Sequence, residues 1–195
     1  MSESIGRTTR LQAVNMILRN IGEREVGSLV DPTRGDVQAA VAELSHQSRA
    51  VQGEGWEFNS ELVDIAPSLS GTLIIPTNAL TVTVEDTAVS DLLVQRGDRL
   101  YNLTDNTDIF TDPVTIRAIV QLSFEELPEQ VRYYVAVRAA RIVAQTRVGD
   151  PAVVQFSAGD EQYARYQVES RELEAGQFNA LTAPGIRRIN SPYYR

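Results

Sequence analysis

The chain has 195 residues, 43% of them hydrophobic, with 26 acidic against 18 basic side chains and a net charge of −8. This is the make-up of one globular domain, or one domain with an insertion, large enough to bury a core unaided. The absence of cysteine and the single histidine, His46, exclude a disulfide framework, thiolate metal sites and any chemistry needing two imidazoles, and the acidic balance argues against general nucleic-acid affinity.

The opening residues, MSESIGRTTR, carry no apolar core of signal-peptide length, and no apolar run approaches the ~18 residues of a membrane span. The expectation is a soluble chain made in the cytoplasm. All the basic residues are arginine. That bias suits bidentate pairing at packed interfaces; a GC-rich genome accounts for it equally well.

The first predicted helix is capped by Thr8 or Thr9 and carries Leu11, Val14, Ile17, Leu18 and Ile21 at helical spacing, with Gly22 as its left-handed terminator. A turn through Asp31-Pro32 leads to a second helix from Pro32 to Gln52, with Val37, Ala40, Val41, Leu44, Ser48 and Val51 on one stripe. His46 falls away from that stripe and reads as a surface residue rather than a catalytic base.

From residue 56 the period changes. The runs WEFN, ELVDIA, TLIIP, LTVTVED, DLLVQ, RLYNL and VTIRAIVQL predict a small, mostly antiparallel β-unit, with Arg96-Gly97-Asp98 as a hairpin turn and residues 85–91 as a loop or edge. Trp56 reads as a core plug at the helix-to-sheet junction. Helix returns after Leu127-Pro128, over 129–148, with Val131, Tyr134, Val135, Val137, Arg138, Ile142 and Val143 as its inward positions. A last helix is predicted from Pro151 to about Ala175, its apolar positions including Tyr163, Tyr166 and Val168, with Glu161 and Arg165 as an i,i+4 pair.

The fold class is therefore α+β: a four-helix bundle formed by N- and C-terminal helix pairs, with a mostly antiparallel β-insertion and an extended C-terminal arm. The divisions are 1–55 and 125–178 for the helical parts, 56–124 for the β-rich insertion and 179–195 for the arm. The arm holds Arg187, Arg188, Tyr193, Tyr194 and Arg195 and no acid. It is either a frayed terminus or a segment that orders on a partner.

Catalytic patterns are scarce. GxSxG and HExxH do not occur, and without lysine no phosphate-binding GxxxxGK[ST] loop is possible. Glu125-Glu126 and the pair Glu172 and Glu174 are the only carboxylate groupings with glycosidase potential, and they fit a helix start and a solvated face. No catalytic residue, metal ligand or cofactor is assigned, and an assembly protein is favoured over an enzyme.

Four blocks then occur in a telling order. They are Ala13-Val14-Asn15 with Ile17-Leu18, Ile21-Gly22-Glu23, Val26 and Leu29; Gly55-Trp56-Glu57-Phe58-Asn59; Arg96-Gly97 with Leu100-Tyr101, Asp105 and Phe110; and Leu127-Pro128 with Arg132-Tyr133, Ala139 and Arg141. In this the chain resembles the tail tubular protein A family of T7-like podoviruses, head-to-tail adaptors of short-tailed phages. The resemblance implies a virion tail protein that forms a homo-oligomeric ring, typically of twelve copies, under the portal protein. The nozzle protein (tail tubular protein B) and tail fibre lie on its other side, and DNA passes through the lumen without specific binding. It implies neither membrane contact nor a cofactor. It further implies portal contact for Arg187, Arg188, Tyr193, Tyr194 and Arg195, with the helices at 32–52 and 129–148 as candidate ring contacts. The alternatives are a neck protein of a longer-tailed phage, or a glycan hydrolase.

Overall fold

The computed structural model describes residues 6–30, 33–85, 92–147 and 158–182. In chain order these form α1 (Arg10–Asn20), α2 (Gly35–Gln52), a 3₁₀ turn (Glu57–Asn59), β1 (Ser60–Ile65), β2 (Ala79–Val84), β3 (Leu93–Arg96), β4 (Arg99–Asn102), β5 (Val114–Val120), α3 (Glu129–Arg147) and α4 (Ala158–Thr182). The class is α+β. Two units partition the chain, one comprising Met1–Ser48 with Phe124–Arg195 and the other Arg49–Ser123.

Local signals act as read in α1. Thr9 is the N-cap, its side chain accepting from the Gln12 N–H while Gln12 reaches back to the Thr9 N–H. At the other end Gly22 adopts φ 76°, its N–H bonding the Arg19 carbonyl and the Glu23 N–H the Leu18 carbonyl. That pair of bonds is a Schellman motif, which needs a residue free to take positive φ. The predicted start of α2 at Pro32 lies outside the described residues, and among those described the helix begins at Gly35.

Within the first unit the closest helix pairs are α1 with α3 and α3 with α4. The middle helix is buried nearly all round: Val131, Arg132, Tyr134, Val135, Ala136, Val137, Ala139, Ala140, Val143 and Ala144 are all shielded from solvent. This corrects the single stripe predicted for it. Four of those positions are alanines, whose small side chains let neighbouring backbones approach on several sides at once, so burial is not confined to one row of large residues. Arg138 and Ile142, predicted to point inward, are only half-buried.

The second unit is built on a three-stranded antiparallel sheet in the order β1-β5-β2, with β3 and β4 forming a separate hairpin. On the central strand β5, Val114, Ile116, Ala118 and Val120 alternate inward and join Ile65, Leu73, Ile75, Leu93 and Leu100 in one core. Arg117 and Thr115 take the other face, bonding Glu85 (2.6 Å) and Asp64 (2.6 Å). Gly97, at φ 63°, occupies the first central position of the β3–β4 turn, where a type II′ hairpin needs glycine. Its neighbour Arg96 stacks on Tyr101, 3.7 Å from the ring centroid.

Three predicted elements change. The WEFN run is not a strand but the 3₁₀ turn leading into β1. TLIIP makes only single antiparallel bridges, Thr72 with Ile109 and Ile74 with Arg99, and is not a regular strand. Residues 179–182 continue α4 as far as Thr182, so the first four residues assigned to the arm are helical. The expected start at Pro151, and most of the loop at 85–91, lie outside the described residues.

Candidate assembly surfaces

The residues that form the most specific local constellations turn out to hold the fold together. Asn15 exchanges two hydrogen bonds with the Val26 backbone, both 2.9 Å, which pins the segment after α1 back onto that helix. In the second unit, Gly55 sits at φ 79°, and a Cβ there would lie 3.2 Å from Ile119, so the site favours glycine for both backbone and space. Trp56 is buried as the sequence indicated, its indole N–H donating to the Val51 carbonyl at 2.7 Å. Asn59, fully buried, accepts from the Trp56 N–H and donates to the Gln52 and Val120 carbonyls. Gln52 in turn exchanges bonds with the Leu122 backbone. The Gly-Trp-x-Phe-Asn block is thus a splice between the end of α2 and the last strand.

The Leu-Pro…Arg-Tyr block does the same for the first unit. Arg132 is 4% exposed, and its guanidinium donates to the main-chain carbonyls of Leu127 (2.8 Å), Thr8 (2.9 Å) and Glu125. Glu129, one helical turn earlier, accepts from both the backbone and the hydroxyl of Thr8. Together they staple the start of α1 to the start of α3. A buried cation is costly unless its donors are satisfied; here three carbonyls do so. The signal available in sequence is an arginine between Val131 and Tyr134, inside the Leu-Pro…Arg-Tyr block.

Further along α3, the buried Tyr134 hydroxyl accepts from Arg138 (2.9 Å) and Arg165 of α4 (3.3 Å). Glu161 bonds Arg141 across the same seam, with Arg138 at 3.9 Å, instead of forming the predicted pair with Arg165. Arg165 pairs with Glu169 at 2.7 Å. The interhelical partner wins because Glu161 and Arg141 are both largely screened from water, where a charge pair is worth more than on an open helix face.

The outer side of α4 is different. From residue 158 to 174 only Ala164 and Val168 are buried. Tyr163, Tyr166 and Leu173 are 63%, 65% and 66% exposed. Both tyrosines, which the sequence places among the apolar positions of a partly solvated helix, face outward; Tyr166 lies roughly 200° around the helix from Ala164, which marks the seam. With Gln130 of α3, they line an open groove of about 390 Å³ together with Gln167, Ser170, Arg171 and Glu174. Tyrosine and arginine flanked by polar side chains are the composition of a protein-contact surface.

The other sequence candidates fall elsewhere. His46 is 72% exposed beside Glu43, as expected for a surface residue. Glu125 and Glu126 stand exposed in the turn before α3 and do not line the groove, and Glu174 pairs with Arg171 at 3.1 Å. Arg187, Arg188, Tyr193, Tyr194 and Arg195 lie outside the described residues. Asp36, in the first turn of α2, is a perturbed carboxyl: burial pushes it up, but bonds from Arg34 and from the Asp36 and Val37 backbone outweigh this and hold it below its ordinary range. Among the described residues no group of acidic or imidazole side chains is arranged to hold a metal ion, and no helix is long and apolar enough to cross a membrane.

A chain whose distinctive motifs are splices, and whose last described helix presents tyrosines to solvent, has the character of an assembly component. The sequence profile of the tail tubular proteins matches residues 11–178. The chain belongs to that family, and so is a structural protein of a bacteriophage tail. Its relatives include tail tubular protein A of Klebsiella phage KP34, 27% identical over 182 residues that cover 92% of this chain and 95% of that protein.

Proposed function

We propose that the protein is the subunit of a head-to-tail adaptor ring. In this reading about twelve copies bind beneath the portal, receive the nozzle and fibre proteins on the opposite side, and surround the path of DNA ejection. The observation that carries it is the extent of the family match, 11–178, which runs through both units and is not confined to one motif. The charge of −8 supports the conduit role: an acidic subunit offers phosphate no general pairing, so the duplex slides without being held. The four helices serve as one bundle forming the ring body, residues 56–124 form its β-rich insertion, and the arm, beginning after Thr182, docks on the portal through Arg187, Arg188, Tyr193, Tyr194 and Arg195.

The test is the solution mass by light scattering, for the protein alone and mixed with its cognate portal ring. The adaptor reading expects a gain of about one copy per portal subunit; a monomer that ignores the portal under all conditions refutes it. Deleting residues 186–195 is expected to abolish portal binding while leaving the melting temperature unchanged. Normal binding by the truncated chain would remove the arm from the mechanism and leave the ring standing.

A further inference from the structure

In a closed ring each subunit presents two different surfaces, one to each neighbour, and the two must complement each other. The first unit offers such a pair. Helix α3 is shared: α1 packs on it and α4 packs on it, and α1 and α4 make no comparable contact with each other. α1 also meets α2, where Arg10 donates to Ser45, so the open side of α1 is the one that carries Gln12 and Arg19; α3 itself keeps no large apolar side chain exposed.

Over residues 158–174 the outer side of α4 leaves large side chains exposed to solvent. In the same stretch this helix buries only two small side chains, Ala164 and Val168, and so gains little there from packing. Its opposite side carries Tyr163, Tyr166 and Leu173, large residues that cost water contact wherever they remain uncovered. The charges of the two flanks differ in sign. Between residues 158 and 174, Asp160, Glu161, Glu169, Glu172 and Glu174 outnumber Arg165 and Arg171. Between residues 6 and 25, through α1 and its C-terminal turn, Arg7, Arg10, Arg19 and Arg24 outnumber Glu23 and Glu25.

We infer that the tyrosine face of α4 is one half of the subunit interface, and that its occupant is the α1 flank of a second copy of this chain, joined head to tail. The inference rests on the ring reading above and names its contact surface. Opposite charges on the flanks steer the copies into one orientation and disfavour α4 meeting α4, where carboxylates would face carboxylates. The tyrosines and Leu173 supply the apolar centre of the contact.

Because the chain has no cysteine, single introduced cysteines report neighbours cleanly. Tyr166→Cys and Arg19→Cys variants, both at exposed positions, are treated with a short bismaleimide, separately and mixed, in the portal-assembled state. Crosslinked dimer in the mixture at least tenfold above either variant alone is the expected result. Self-crosslinking of Tyr166→Cys alone overturns the head-to-tail arrangement. A ring of full mass without crosslinks in the mixture places the interface elsewhere and overturns the inference while the adaptor reading survives. If the unmodified protein never gains mass with the portal, both fall together. A second variant, Tyr163→Glu with Tyr166→Glu, is expected to lower the ring fraction at least tenfold with an unchanged melting temperature for the free subunit; unchanged ring formation would equally overturn the proposal.

Discussion

Helices α3 and α4 lie side by side and follow one another in the sequence, yet they are used in opposite ways. The first buries ten side chains, including an arginine and a tyrosine, and every element of its unit described as packing closely packs on it. The second, over its first 17 residues, buries two and leaves two tyrosines and a leucine in solvent. The difference separates residues that make the fold from residues that the fold leaves at the surface. The splices rest on side chains bonded to backbone, Asn15, Trp56, Asn59 and Arg132, and a buried backbone partner is left unsatisfied when such a side chain is replaced by one of different shape.

The comparison is broken most sharply at Arg132. Arg132→Met keeps the volume but strands the carbonyls of Thr8, Glu125 and Leu127, and a loss of about 3 kcal/mol is expected. Urea unfolding followed by circular dichroism measures it, and a loss below about 1 kcal/mol would show that the staple is dispensable. Next comes the seam of α4. Ala164→Leu forces extra volume between α3 and α4 and is expected to cost about 1–3 kcal/mol, in contrast to the silent tyrosine changes on the opposite face. If α4 instead tolerates leucine without loss, the seam is looser than its burial indicates, and hydrogen exchange along α4 would show it.

The smallest effect is at the start of α2. Asp36 is held below its ordinary range in the folded state, so its contribution is complete above the usual aspartate range and is lost as pH falls through that range. Asp36→Asn is expected to cost about 0.5 kcal/mol at neutral pH and nothing in acid. Denaturation midpoints at the two pH values check the sign; an equal loss at both would assign the effect to helix capping geometry rather than charge.

Much of this architecture was legible because it is decided locally. Thr9 and Gln12 cap α1, Gly22 ends it and Gly97 turns the hairpin through interactions spanning a few residues, and period 2 against period 3.6 separates β5 from α3 whatever surrounds them. The membership and alternation of the β core followed from the same rule. What only the tertiary structure decided is which helix lies in the middle, which side of α4 faces inward, and that Asn59, Gln52 and Arg132 are buried polar groups with partners. Arg132 meets a carbonyl 124 positions away, and Asn59 one 61 positions away. No window of sequence contains such contacts, so the burial of those side chains, and the exposure of Tyr163 and Tyr166, depend on what the rest of the chain brings against them.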